Sequence, residues 1–116
     1  MDSNDLDELV GEELSGVTFV RDYLQLQFNP LPVLNAYTQV TVSCGDQVAT
    51  FGEEPFANLL IGQINKFVRR VELRDDEFLR LTFEDESVVA ISLFPADYVG
   101  PEAITLFSRD KKITVI

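Results

Sequence analysis

The sequence predicts a mainly β domain. It reads as two antiparallel β-meanders from an internal duplication, packed as a sandwich or a partly open barrel, with two short helices. Three observations carry this. Residues 20–37 and 73–92 share one pattern: aromatic-Leu-polar-Leu-polar-Phe, a four-residue turn, then a second apolar run that opens with valine. Tyr23, Leu24, Leu26, Phe28 and Val33 fall on Phe78, Leu79, Leu81, Phe83 and Val88 at one spacing, with Ala36 set against Ala90. Within each unit apolar and polar residues alternate, the period of a strand with one buried face. Between the runs stand clusters of Pro, Gly, Asn and Asp, which favour tight turns and antiparallel neighbours.

The 116 residues suit a single domain, with repeats at about 14–51 and 60–116. A Leu-x-Gly stands upstream of each unit, at Leu14-Ser15-Gly16 and Leu60-Ile61-Gly62. Residues 1–13 read as a helical or partly disordered lead segment. Leu6, Leu9, Val10 and Leu14 form one helical stripe near residues 4–10, which Ser3 or Asn4 can cap and Gly11 ends. Val17 and Phe19, then Leu24, Leu26 and Phe28, alternate as strand. Asn29-Pro30-Leu31-Pro32 is a turn, because proline lacks the donor that a central strand needs. Strands follow at 33–38 and 39–44, with Gly45-Asp46 as a turn into a strand at 47–51.

Gly52-Glu53-Glu54-Pro55 announces a helix over 55–61 that stops at Gly62 in a left-handed cap. The next strand segment starts near Ile64 and changes parity: Ile64 and Val68 are on one phase, Val71 and Leu73 on the other. One extra residue must therefore be accommodated, and a β-bulge is predicted at Arg69-Arg70. Turns at 74–77 and 84–87 bracket Phe78–Phe83, and Val88–Leu93 follows. Residues 94–101 are irregular, and 103–108 with 113–116 make a last hairpin.

Composition bounds the function classes. The net charge is −11, and residues 1–62 carry ten acids against Arg21 alone. Such a surface repels phosphate backbones and attracts basic partners, so the expectation is no nucleic acid, and a protein partner or a second copy (a homodimer) instead. The plainer reading of the acid is solubility. No apolar run approaches the ~20 residues that span a bilayer, the first residues are acidic rather than a secretory signal, and Cys44 is the single cysteine. The expectation is a cytoplasmic protein without a membrane segment.

The chain contains no histidine, which removes the usual general base and the commonest transition-metal ligand. Cys44, beside Gly45 in a strand pattern, reads as a half-buried structural thiol. Glu53-Glu54, Asp75-Asp76-Glu77 and Glu84-Asp85-Glu86 lack the alternating spacing and the glycine of a calcium loop. No catalytic residue, metal or cofactor is assigned. Lys66, Arg69, Arg70 and Arg74, with Arg80, form the basic concentration. They read as an interface for an acidic surface, against the plainer reading of a solvated strand face. Asp97, Tyr98, Gly100, Pro101 and Glu102 belong to the least generic stretch, read either as a functional loop or as a structural corner.

Leu60-x-Gly62, the run Phe78 to Val88 and Asp97-Tyr98-x-Gly100-Pro101-Glu102-Ala103 resemble small uncharacterised bacterial proteins. Those carry a Leu-x-Phe-x-Asp-Gly-Ser hairpin followed by Gly-Pro-Glu-Ala. Glu86 stands where glycine is usual in that turn. Hairpins of this kind also appear in immunity-type proteins that neutralise toxins. The resemblance covers about half of the chain and implies no catalytic residues. The functional expectation is a non-enzymatic protein-interaction module. The alternatives are an immunity-type inhibitor of a basic toxin, and a small-ligand binder or enzyme with a pocket between the repeats.

Overall fold

The structure, a computed structural model, describes residues 6–29 and 31–116. Among them are ten strands and one α-helix. The strands are β1 (Gly16–Val20), β2 (Tyr23–Gln27), β3 (Val33–Ala36), β4 (Val40–Cys44), β5 (Gln47–Thr50), β6 (Val68–Arg74), β7 (Phe78–Phe83), β8 (Val88–Ser92), β9 (Ile104–Phe107) and β10 (Ile113–Val115). The helix α1 (Phe56–Ile61) joins β5 to β6. They form two antiparallel five-stranded sheets, β1-β2-β3-β9-β10 and β6-β7-β8-β4-β5, with no closed barrel. No helix among the described residues is long and apolar enough to cross a membrane.

The two sheet orders are the same order. In each, a three-stranded meander from one half of the chain is completed by the hairpin that ends the other half. The registers agree residue for residue apart from a bulge in β6. Leu26 pairs with Leu34 as Leu81 pairs with Val89, and Leu34 pairs with Leu106 as Val89 pairs with Val42. Leu24 faces Ala36 as Leu79 faces Ile91, so the counterpart of Ala36 is Ile91 and not Ala90. Leu-x-Gly is not a shared feature either: Gly16 opens β1 opposite Gln27, while Gly62 follows α1 well before β6.

Both sheets bury the faces that the alternation marks. Leu24, Leu26, Phe28, Leu34 and Leu106 from one sheet join Val42, Leu79, Leu81, Phe83, Val89 and Ile91 from the other in a single core. Even-numbered residues stay inward from Leu34 and Ala36 through Val40 and Val42, although the chain changes sheet between them. The interior lies between the sheets, so an extended chain that crosses from one to the other keeps its phase.

The bulge falls where parity requires it. Val68 faces Phe83 and Arg70 faces Thr82, leaving Arg69 as the extra residue that returns Val71 and Leu73 to the inner side. The start of this edge is covered. The Gly11 amide donates to Val68 O at 2.7 Å, the Leu14 amide to Lys66 O at 2.9 Å, and Glu13 bridges Phe67. Residues 11–14 thus act as a cover. Among the described residues of this segment, Asp7–Leu9 makes a 3-10 turn in place of the expected helix, because Gly11 at φ 86° swings the chain onto β6; Leu6, Leu9 and Leu14 are fully buried. The capping positions Ser3 and Asn4 lie outside the described residues.

The end of α1 differs from expectation. Gly62 is right-handed at φ −63°, and a Cβ there would stand 3.3 Å from Leu59 O. Successive turns carry the chain on to Asn65, which takes the left-handed conformation at φ 79°. Glu86 takes it too, at φ 74°, the conformation that glycine holds in such a turn.

Phe28→Ala and Phe83→Ala should each cost about 3–5 kcal/mol, read as a lowered urea midpoint. An unchanged midpoint in either would place that ring outside the core. Thr114 occupies the position of Ala49 in the matching hairpin, and its buried Oγ1 has no hydrogen-bond partner among the described residues. Thr114→Val should therefore stabilise the protein by about 1 kcal/mol with an unchanged m-value.

Candidate functional site

Two crossovers carry the chain between sheets, and they meet at one end of the molecule. The first is short: residues 37–39 join β3 to β4. The second is long: residues 93–103 join β8 to β9. They are stitched together. The Tyr37 amide donates to Ala103 O at 2.8 Å, Thr38 Oγ1 to Ser92 O at 2.6 Å, and the Ser92 amide to Gln39 O at 2.9 Å. The β1–β2 turn, Arg21-Asp22, lies at the same end, because Leu24 is paired with Ala36.

The long crossover is shaped by its own residues. Pro95 starts a 3-10 turn over Pro95–Asp97, where a fixed φ is pre-set for the first helical position. Ser92 Oγ donates to Asp97 Oδ2 and accepts the Phe94 amide at 3.2 Å, closing the turn. Tyr98 packs on the core, and Ala103 is fully buried. The segment is pinned at both ends, and Val99, 92% exposed, is left standing out between them.

Around this segment lie two hollows. One, of about 420 Å³, is walled by Arg21, Asp22, Tyr23, Tyr37, Phe51 and Asp97, with buried Leu24 and Ala36 beneath. The other, of about 340 Å³, is bounded by Gly100, Pro101 and Glu102, and shares Asp22, Tyr37 and Val99 with the first. Tyr23 and Tyr37 pack against each other at 5.5 Å between ring centres, their planes tilted by 55°. Gln25 Nε2 donates to Asn35 Oδ1 at 3.1 Å, and Asn35 Nδ2 to the Tyr37 hydroxyl oxygen at 3.4 Å, which fixes that ring. Aromatic walls, an apolar floor and three carboxylates against one guanidinium make a surface suited to binding an amphipathic or cationic group.

Asp97, Gly100, Pro101 and Glu102 therefore line the cleft, and Tyr98 anchors their loop from beneath. Arg21, Asp22, Tyr23 and Tyr37 are the residues that sequence reasoning missed. Of these, Tyr37 departs from the repeat: the registers set Tyr23 at the position of Phe78, an aromatic in both halves, and Tyr37 at that of Ser92.

The basic residues do not converge. Lys66 pairs with Asp85 at 2.6 Å, and Arg69 pairs with Glu86, both at the β7–β8 turn. Glu72 holds Arg80 at 3.2 Å and Arg74 at 3.5 Å, and both guanidiniums stand near the Phe78 ring. Among the described residues, Arg70 alone of the five makes no ion pair.

Lys66 and Ser87 invite comparison with a serine–lysine pair, but the geometry is structural. The three Lys66 donors reach Asp85, Gln63 Oε1 at 3.1 Å and Ser87 Oγ at 3.4 Å, and Ser87 is 2% exposed. Cys44 is half-buried and free, and the described residues contain no grouping of three or more His, Cys, Asp or Glu that could hold a metal ion.

No protein-family model matches the chain, and no curated protein or solved structure shows significant similarity to it.

The Lys66 hydrogen bond, followed by that of Ser87, holds the Asp85 carboxyl at about 2, below its ordinary 3.8. A depressed carboxyl pKa stabilises the fold above the unfolded value and loses that contribution as pH falls toward the folded one. Asp85→Asn should therefore flatten the fall in urea midpoint between pH ~4 and ~2. The effect stays below about 1 kcal/mol because the carboxylate is half-exposed. A wild-type acid limb in the variant would show that the pair contributes nothing.

Proposed function

We propose that this chain is a non-enzymatic protein-interaction module of the cytoplasm, arisen by internal duplication, and that it receives its partner at the crossover cleft. The observation that carries this is the unequal length of the two crossovers. Where the halves otherwise correspond, residues 93–103 replace a three-residue link, and they build the cleft and raise Val99 above it. Exposed Phe51 lines the cleft, and exposed Phe94 lines a neighbouring hollow that shares Gln39 and Asp97 with it, giving apolar and aromatic contact area within a charged rim, the usual anatomy of a protein interface. The polar groups nearby serve the loop: Ser92 closes it on Asp97, and Thr38 ties it to the first crossover.

An immunity-type inhibitor is a special case of this reading, with a basic toxin as the partner. A small-ligand binder is the second reading, favoured by the volume of the larger hollow, which falls within the common range of ligand sites.

A photo-crosslinking residue at Val99 tests the interaction reading, with the same residue at Glu84, in the turn at the opposite end of its sheet, as control. In source cells, position 99 should give a discrete protein adduct that position 84 does not. Equal labelling from both, or no protein adduct from 99, contradicts an interface at the cleft.

A further inference from the structure

We infer that the partner presents a basic segment, and that an arginine side chain of that segment stacks on the Tyr23–Tyr37 pair. This rests on the interaction reading and adds the partner's chemistry to it. The two halves of the molecule differ at this point. At the start of β7, Phe78 carries two guanidiniums: that of Arg80 stands 4.1 Å and that of Arg74 5.6 Å from its ring centre. Glu72 holds Arg80 by an ion pair. An aromatic face with a carboxylate beside it is thus already an arginine site in this fold.

By register, the same place in the other half is Tyr23, with Val20 where Arg74 stands and Gln25 where Arg80 stands. The aromatic is kept and doubled by Tyr37, but among the described residues no cation stands over either ring. Carboxylates stand nearby instead, against Arg21: Asp22 from the β1–β2 turn, and from the long crossover Asp97 and Glu102, each of which also accepts one hydroxyl, from Ser92 and Thr105. The half of the chain that contributes both tyrosines has ten acids and one base, so the surrounding field also draws a basic segment inward. The first half thus offers the acceptor side of an interaction that the second half completes internally.

The chain has three tyrosines and no tryptophan, and all three lie at this cleft or under its loop, so intrinsic fluorescence reports on the site directly. The probe is a blocked pentapeptide of alternating glycine and arginine at low salt, compared with its lysine and glutamate versions. The arginine peptide should change tyrosine emission saturably and bind about threefold or more tighter than the lysine peptide, because only a guanidinium stacks flat on a ring. The glutamate peptide should do nothing.

Asp22→Asn with Glu102→Gln, both outside the core, should weaken arginine-peptide binding about fivefold or more, whereas Asp7→Asn with Glu8→Gln should not. Equal affinity for the arginine and lysine peptides, or equal loss in the two double variants, would overturn the proposal in favour of a diffuse acidic field. Dimers in sedimentation that Arg70→Glu converts to monomers would overturn it in favour of a second copy. If the arginine peptide fails while the Val99 adduct stands, the interaction reading survives and this assignment of partner chemistry falls.

Discussion

The structure depends on one topological constraint: each half of the chain completes the sheet of the other. A meander such as β1-β2-β3 ends on β3, whose outer edge is taken by β9 from the second half; β4 takes the edge of β8 in return. Neither meander would otherwise have an inner neighbour for its last strand, and small open sheets with bare edges are weak and prone to association. The exchange turns two marginal sheets into two five-stranded ones over a single core. It also forces both crossovers to one end, where the hydrogen bonds of Tyr37, Thr38 and Ser92 hold them against each other. The remaining edges are managed differently. The bulge, the charged side chains and the lead segment cover β6, while α1 packs beside β5.

Correspondence between the halves makes their differences informative. Strand pairings agree, and registers agree apart from the β6 bulge, so a departure that covers no sheet edge is not required by the pairing. The long crossover is one such departure, and the exchange of a Phe–Arg–Glu arrangement for a bare tyrosine pair is another. They fall at the same end of the molecule. This coincidence gives the cleft its weight, since neither an acidic rim nor an exposed valine would mean much alone.

Much of this fold is legible in the sequence because period-2 burial leaves a direct trace. Leu26, Phe28, Leu81 and Phe83 are core residues on alternation alone, and the parity change from Val68 to Val71 locates the bulge. The exchange leaves no such trace. Leu34, Ala36, Val40 and Val42 keep one phase whether the chain turns back within a sheet or crosses the interior, so strand order is not encoded in the pattern. Local signals also yield to tertiary ones. The stripe Leu6-Leu9-Leu14 suits a helix, but Gly11 and the free edge of β6 draw it into an extended cover. The loop 97–102 stood out by its composition. Its neighbours Asp22, Tyr23 and Tyr37 did not, because only the three-dimensional meeting of two crossovers and a turn brings them to it.

If each sheet holds strands of both halves, neither half can loosen alone. Native-state hydrogen exchange in a core variant of one half tests this directly. With Phe83→Ala, which lies in β7, the amides of β2 in the other half should lose protection by the same free energy as those of β7. Loss confined to β6–β8, with β2 protected as in the unaltered protein, would contradict the exchange and the account built on it.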